Sequence, residues 1–509
     1  MKAYLMHREA DFDLERELPK HTDVLEEDLE IATLLKQMAA GDEFVSEIAQ
    51  RAILLPLVDP PAILFRQQVL GDCIQHPKLV RELYLLAVEG VESPKRSNVF
   101  WFRDSPDQLL SKSLRILETL IDVVERLRKL ADEYVTAVRS EGLTRLFSTL
   151  QDELNDEYLQ ELRDHLRQLD LSSGTLISAE LGRSNRGTNY VLRKPFARNF
   201  LERINLRRRS GYGFSIPPRD EAGMESLATL RNRGVRLVAN ALAQSTDHML
   251  DFFRMLQAEL GFYVGCVNLY EALSERDIPL CFPTPAQVEE RSLSAHALRD
   301  ASLPFHLSGR VVGNDLDADG RQLVIVTGAN QGGKSTFLRS LGLAQLMMQA
   351  GMFVAAESFG ASVRSGVFTH FKREEDSSMT SGKLDEELAR MSAIADLIEP
   401  NALLLCNESF AATNEREGSE IARQVIRAMV EARVTVVFVT HLYDLANGLY
   451  AQHDEKMLFL RAERQVNGVS PFRVSPGNPL PTSFGEDSYN RIFNGAPERV
   501  SAESDSAVR

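Results

Sequence analysis

A glycine-rich stretch between two apolar segments is the feature that most constrains the fold of this chain. The sequence TGANQGGKST, at residues 327–336, follows the β-branched run LVIVT and precedes a segment with helical spacing. It fits the pattern G-x-x-x-x-G-K-[ST], with Gly328, Gly333, Lys334 and Ser335 at the fixed positions. Such a loop joins a strand to a helix, so it predicts an α/β arrangement in this part of the chain.

The residues of this loop suit a phosphate cradle. Glycines let backbone N–H groups turn inward around phosphate oxygens, and the N-terminus of the following helix adds partial positive charge. Lys334 can reach the β- and γ-phosphates of a nucleotide, and Ser335 can bind Mg²⁺. We therefore predict that the chain binds a nucleotide.

Short runs rich in Val, Ile and Leu recur on both sides of the loop helix. RQLVIVTG, ALLLC and VTVVFVTH are typical of buried strands, and helical segments separate them. Strands that alternate with helices in this way form a largely parallel sheet. We predict an α/β nucleotide-binding domain over residues 301–495 and a disordered tail at residues 496–509.

Polar residues follow two of these runs. Asn407 and Glu408 come after ALLLC, where a Walker B strand usually carries an Asp that supports Mg²⁺. Glu408 can polarise the attacking water as a general base, whereas Asn407 can hydrogen-bond a metal-bound water without adding charge. His441 follows VVFVT and can contact the γ-phosphate. The alternatives are an incidental polar strand end and a structural histidine.

A further candidate precedes a predicted helix at residues 383–398. Ser381 and Gly382 stand directly before this amphipathic segment. A Ser-Gly pair at a helix start can donate to a phosphate, although capping the helix is its commoner use.

Residues 1–300 have a different character and are predicted to be mostly helical. Neither Pro nor Gly occurs between Pro106 and Gly142, where apolar residues recur at steps of three and four with charges between them. A second helical stretch runs from about Glu221 to Glu275. Helices this long and charged tend to project or to pack along a partner.

A basic segment interrupts the helices at about residues 171–219. It contains Gly, Pro and many arginines, and Glu202 is the only acidic residue between positions 183 and 209. Phosphate-binding surfaces have this composition, so it is the best candidate for contact with nucleic acid. The alternative is a solvated loop, or arginines that pair with acidic helices. The candidate DNA-binding residues are Arg183, Arg186, Arg193, Lys194, Arg207, Arg208 and Arg209.

Composition limits the other classes of function. The net charge of −15 argues against a surface that is basic throughout, although screening over about 8–10 Å leaves room for a local basic patch. The N-terminus is charged, no apolar run approaches a membrane span, and the four cysteines are scattered. These features predict a cytoplasmic protein with reduced thiols and no membrane partner.

The order of the motifs is that of ABC-type ATPases, and their sequences resemble those of the MutS family of DNA mismatch-repair ATPases. That family's loop reads TG-x-N-x-x-GKST. Its matches here are Thr327, Gly328, Asn330, Gly333, Lys334, Ser335 and Thr336, with Gly332 inside the same loop. GMFVAAESF and VTHLYDL resemble the segments that follow the loop helix and carry the switch histidine. A weaker likeness begins near residue 54 and includes the helical stretch before the α/β domain.

The resemblance implies a P-loop ABC-type ATPase domain that binds ATP and Mg²⁺ and dimerises with a second copy. Residues 1–300 would then form a helical core and lever domain, with residues 171–219 as a short clamp-like insertion. Closure of the dimer around DNA would be driven by ATP. Ser381 falls about where the family has the serine that touches ATP bound by the partner subunit.

The chain also departs from the family pattern. The core-like segment starts by about residue 54, so we expect the chain to lack the family's N-terminal mismatch-reading and connector domains. Asn407 stands in place of the usual Asp. The DNA target is therefore open between mismatched, branched and damaged duplex. Two other functions also stay open: a structural dimer that binds ATP with little hydrolysis, and an energy-coupling ATPase for another complex, such as a membrane transporter.

Overall fold

The chain is multidomain, as predicted, and packs into two compact units. The computed structural model describes residues 2–96, 105–171, 174–183, 187–193, 215–307, 309–373, 382–464 and 470–481. One unit comprises Met1–Phe12 and His76–Leu260, and the other comprises Asp13–Gln75 and Gly261–Arg509. The domain division at residue 300 stays a prediction, and residues 13–75 and 261–300 belong to the second unit.

The first unit is built mainly from long helices. Its helices are α5 (Pro77–Arg96), α6 (Pro106–Tyr134), α7 (Glu141–Glu153), α8 (Asp156–Leu169) and the part of α9 (Glu221–Ser274) that ends at Leu260. The two helical stretches expected from residue spacing are therefore confirmed as α6 and α9. Strands β1 (Ile177–Leu181) and β2 (Gly187–Leu192) form an antiparallel pair between α8 and α9 in the sequence.

Helix α6 shows how local sequence forms these long helices. Ser105 and Gln108 make a reciprocal capping box, and Pro106 occupies the first helical turn, where its missing N–H costs nothing. Apolar side chains at helical spacing bury one stripe along the helix. The stripe includes Leu110, Leu114, Leu117, Ile121, Val124 and Leu127.

The second unit contains two sheets and the remaining helices. Four helices precede the sheets in the sequence: α1 (Thr22–Asp28), α2 (Ile31–Ala39), α3 (Glu43–Leu54) and α4 (Pro60–Gln75). The smaller sheet has the strand order β3 (Thr284–Ala286), β7 (Ser358–Ser362), β4 (Leu293–Leu298), β5 (Asn314–Asp317). Among the described helices, none combines the length and apolar character that crossing a membrane requires. All four cysteines are unpaired, in keeping with the predicted thiols.

The larger sheet confirms the largely parallel arrangement that was predicted. Its strand order is β12 (Val474–Pro476), β11 (Met457–Ala462), β6 (Leu323–Gly328), β10 (Thr435–Val439), β9 (Leu403–Asn407), β8 (Val367–Phe371). All neighbouring strands are parallel except β12, which runs antiparallel to β11 at the edge. Residue pairing aligns Val326 with Val439, Val439 with Asn407, and Asn407 with Phe371. The carboxyl ends of four strands therefore lie along one edge.

Helices cover both faces of this sheet, which explains the continuous apolar runs of its strands. On one face, Leu404, Cys406 and Phe438 belong to a core that also contains residues of α11 (Lys383–Leu397), α12 (Glu415–Glu431) and α13 (Tyr443–Tyr450). On the other face lies α10 (Lys334–Gln349), so close that a Cβ at Gly342 would come within 2.7 Å of Leu405.

Candidate active site

The glycine-rich loop connects β6 to α10 at the carboxyl edge of the larger sheet. Gly328 and Gly333 have φ values of +113° and +87°, in the left-handed region that favours glycine. A Cβ at Gly328 would lie 2.9 Å from the backbone of Ala462, and one at Gly332 would lie 2.8 Å from the Ala462 side chain. The glycines are therefore required both by backbone conformation and by close packing against β11.

Lys334 is folded back onto the loop that precedes it. Its side-chain Nζ donates to the carbonyl oxygens of Gly328, at 3.1 Å, and Ala329, at 2.8 Å. Burial lowers the pKa of Lys334 to about 8, and the negative charge of Glu408 opposes this shift. A phosphate bound in the loop would provide the ammonium group with a charged acceptor in place of neutral carbonyls.

Ser335 and Asn407 meet, although 72 positions separate them in the sequence. The Ser335 hydroxyl donates to the side-chain carbonyl oxygen of Asn407 at 2.9 Å. An amide oxygen can accept this bond as a carboxylate would, but without the negative charge. A hydroxyl oxygen and an amide oxygen are hard donors that fit Mg²⁺, with the remaining ligands coming from water and nucleotide phosphates.

Asn407→Asp tests this pair. The carboxylate would accept the same bond from Ser335 and add a charge beside the metal position, so we expect Mg²⁺ to bind about tenfold more tightly, within the usual range for outer-shell changes. Mg²⁺ titration of ATP binding measures the effect. Asn401→Asp is the matched control, because it adds the same charge at the amino end of β9. An unchanged Mg²⁺ midpoint in Asn407→Asp would show that Asn407 has another role.

Glu408 and His441 form a direct side-chain contact. Nε2 of His441 lies 3.0 Å from Oε1 of Glu408, and both side chains are partly exposed. The hydrogen bond from His441 holds the pKa of Glu408 below its usual value, helped by the charges of His441, Lys372 and Lys334, while burial acts in the opposite direction. Glu408 is therefore ionised at neutral pH and able to accept a proton.

The backbone of Glu408 is in an unusual conformation. Its φ of +54° lies in the left-handed region, and Phe410 has a φ of +63°. Non-glycine residues held there cost about 1–3 kcal/mol each and cluster at functional sites, where the surrounding structure imposes them. The turn after β9 is therefore strained at the residue predicted to be the general base.

The structure also describes three further residues that were predicted to contact the nucleotide, which are Thr327, Asn330 and Thr336. The Thr327 hydroxyl donates to the carbonyl oxygen of Leu460 in β11 at 3.4 Å, so its side chain links two strands. Asn330 is exposed in the loop, and Thr336 is partly buried in the first turn of α10. Ser381 lies outside the described residues, so its role stays a prediction.

The basic segment is described only in part. Arg183 and Arg193 are both exposed, and Nε of Arg193 donates to the Ser178 hydroxyl at 2.9 Å. The other candidate DNA contacts lie outside the described residues: Arg186, Lys194, Arg207, Arg208 and Arg209. Their contact with DNA stays a prediction.

Phe472 is a neighbour of the loop that sequence reasoning missed. A Cβ at Gly333 would lie 3.5 Å from the Cα and Cβ atoms of Phe472, and the Phe472 side chain is 52% exposed. Asn314 holds this segment through a bond from its Nδ2 to the Phe472 carbonyl at 3.4 Å and one from the Val474 N–H at 2.8 Å. An exposed ring beside the loop can stack on a nucleotide base. No local pattern around Phe472 indicates this position.

Two family models match separate parts of the chain. A model described as the MutS2 N-terminal domain matches residues 58–276, and a model described as MutS domain V matches residues 324–503. The second match contains the glycine-rich loop, the Ser335–Asn407 pair and the Glu408–His441 pair.

Curated proteins named MutS and MutS2 are also similar to parts of this chain. A DNA mismatch repair protein MutS from Thermus aquaticus is 32% identical over 266 residues, which are 52% of this chain and 31% of that protein. An Endonuclease MutS2 from Lacticaseibacillus casei (strain BL23) is 33% identical over 188 residues, 36% of this chain and 23% of that protein. A DNA mismatch repair protein MutS from Prochlorococcus marinus (strain MIT 9301) is 24% identical over 391 residues, 72% of this chain and 40% of that protein. The chain thus spans less than half the length of each relative.

Proposed function

Because the chain belongs to the MutS family, we propose that it is an ATPase that acts on DNA, in mismatch repair or a related processing of DNA structure. The observation that carries the proposal is the gathering of four features at one sheet edge. These are the glycine-rich loop, Lys334, the Ser335–Asn407 pair and the Glu408–His441 pair. From the same arrangement we infer that the α/β domain is a P-loop ATPase domain of the ABC type.

Each of these residues would have a distinct role in hydrolysis. Lys334 would hold the β- and γ-phosphates, and Ser335 with Asn407 would support Mg²⁺, which offsets phosphate charge when bound. Glu408 would take a proton from the attacking water. His441, at 3.0 Å from Glu408, would orient that carboxylate and sense the γ-phosphate. The ionised state of Glu408 supports its assignment as the base.

The proposal includes a dimer and a DNA target. ATP binding would bring two copies together through their ATPase domains, and their helical core and lever domains would close around mismatched, branched or damaged duplex. Support comes from the helical region that matches the MutS2 N-terminal domain and from the arginine-rich segment within it. A cytoplasmic location belongs to the same proposal.

One alternative function has an observation in its favour. Asn407 brings no charge to the metal position, so the chain could bind ATP for dimerisation and hydrolyse it little. Turnover of ATP, measured alone and with perfect duplex, mismatched duplex and branched DNA, separates the two functions. Stimulation by one of these DNAs supports the proposed function and identifies the target. Tight ATP binding without turnover, with or without DNA, would favour the structural dimer.

Replacing Arg207, Arg208 and Arg209 together by Ala tests the DNA interface. If each arginine meets a phosphate, the log–log salt dependence of DNA binding should flatten by about 0.9 per lost contact. Affinity should fall about equally for all sequences, because phosphate contacts carry no base information. Fluorescence anisotropy at several salt concentrations measures the slope, and ATPase activity without DNA should persist.

The matched control removes three positive charges from another part of the sequence, through Ala at Arg423, Arg427 and Arg433. It should leave the slope unchanged. If the Arg207–Arg209 variant melts at a lower temperature and keeps the wild-type salt slope, the three arginines form ion pairs within the protein. They would then not be part of the DNA interface.

A further inference from the structure

A buried hydrogen-bond network adjoins Glu408 and is not used in the mechanism above. His370, in β8, has 0% of its surface exposed. Its Nδ1 lies 2.7 Å from Oγ of Ser409, and its Nε2 lies 3.0 Å from the backbone oxygen of Glu387 in α11. The ring also stacks on Phe410, with centroids 5.5 Å apart. One imidazole therefore joins a strand, the turn after β9 and a helix.

The partners of His370 determine where its hydrogen lies. The Glu387 carbonyl oxygen can only accept, so Nε2 carries the hydrogen. Burial, followed by the charge of Arg390, lowers the pKa of His370 to about 4, so the ring is neutral at pH 7 and Nδ1 has a lone pair. The single hydrogen of the Ser409 hydroxyl is then shared between two acceptors, Nδ1 of His370 at 2.7 Å and the carbonyl oxygen of His370 at 2.8 Å. Both acceptors of this hydroxyl thus belong to one residue.

The network holds the strained part of the turn. Ser409 is fully buried and stands between Glu408 and Phe410, both of which have left-handed backbones. Such conformations persist only where neighbouring contacts impose them. The backbone N–H groups of Phe410 and Ala412 also favour the ionised form of the Glu387 carboxylate, although burial has the larger effect and raises its pKa. The direction of the Glu408 side chain therefore depends on His370 and on α11.

We propose that His370 is a positioning residue for ATP hydrolysis, which holds Ser409 so that the carboxylate of Glu408 faces the attacking water. The inference rests on the proposed ATPase function. Because Nε2 of His370 is bonded to the main chain of α11, a displacement of α11 moves Ser409 and Glu408 with it. His370 thereby links the position of this helix to the general base.

The test uses Ser409→Ala and His370→Asn in the full chain. The Asn side chain can still reach Ser409 but is too short for the Glu387 carbonyl. Misplacing the base should lower kcat by about 10–100-fold and leave the KM for ATP within about twofold of wild type. Ser362→Ala is the matched control, because it removes a buried hydroxyl from the smaller sheet; its kcat should equal that of wild type.

A double-mutant cycle with Glu408→Gln separates positioning from a general loss of structure. If His370 acts through Glu408, neither variant lowers single-turnover hydrolysis further once the carboxylate is gone. The same fold-loss in both backgrounds, or a wild-type kcat for Ser409→Ala, would overturn the proposal. Ser409→Ala carries the test alone if His370→Asn does not fold. Absence of turnover in the wild type would instead overturn the ATPase function, and the inference with it.

Discussion

Lys334→Ala is expected to abolish tight ATP binding. The ammonium group sits at the start of α10 and is held by the carbonyl oxygens of Gly328 and Ala329, where it can meet the β- and γ-phosphates. A hydrogen bond to a charged group contributes about 1.5–3 kcal/mol, so losing two such bonds should weaken ATP binding by about 10²–10⁴-fold. Titration with a fluorescent ATP analogue measures this loss. A near-normal affinity for ATP would contradict the assignment of Lys334 to the nucleotide phosphates.

Lys456→Ala is the matched control for this prediction. Lys456 precedes β11 at the amino edge of the same sheet, so the variant loses an equal charge far from the carboxyl ends of the strands. Its ATP affinity should be that of wild type.

The pKa of Lys334 adds a pH dependence to the same measurement. Burial lowers the pKa of this ammonium group from its ordinary 10.5 to about 8. Phosphate binds the protonated form better, so affinity should be constant below about pH 8 and fall as the pH rises through that value. Lys334→Ala should lack this fall, and a wild-type affinity that stays level to pH 9 would contradict it.

Glu408→Gln is expected to slow ATP hydrolysis by about 10²–10⁴-fold, the usual contribution of a general base, and to leave ATP binding intact. The amide oxygen can still accept from Nε2 of His441, so the turn should keep its geometry while losing the proton acceptor. If ATP binding drives dimerisation, an ATP-bound dimer should accumulate. Rapid-quench hydrolysis and light scattering measure the two effects.

Glu431→Gln removes a carboxylate from the exposed surface of α12 and serves as the control, with turnover equal to wild type. Unchanged turnover in Glu408→Gln would assign the base to another residue. Slow turnover with weak ATP binding would instead indicate damage to the whole site.

The sequence by itself determined the local features of the second unit. Strands β6, β9 and β10 are apolar runs rich in Val, Ile and Leu, because helices cover both faces of the sheet. The positions of Gly328 and Gly333 follow from the backbone of a single turn between β6 and α10. Both signals lie within about ten consecutive residues, so no long-range contact is needed to interpret them. The long helices α6 and α9 were predictable for the same reason.

Only the tertiary structure decided which of these residues meet. Ser335 and Asn407 are joined because β6 and β9 flank β10, and the pairing of parallel strands aligns their carboxyl ends. The same alignment places His441 3.0 Å from Glu408.

The positions of Phe472 and His370 at the site could not be predicted from the sequence, for a related reason. Phe472 lies beside the glycine loop because Asn314 holds the segment at the edge of the sheet. His370 has no distinguishing neighbours in the sequence, and its role follows only from the contacts of its ring with Ser409 and Glu387. Strand order, and the hydrogen bonds of a buried ring, depend on packing between distant segments. The spacing of residues along the chain does not indicate strand order or these hydrogen bonds. Turn and strand propensities, in contrast, depend on adjacent residues and can be predicted from them.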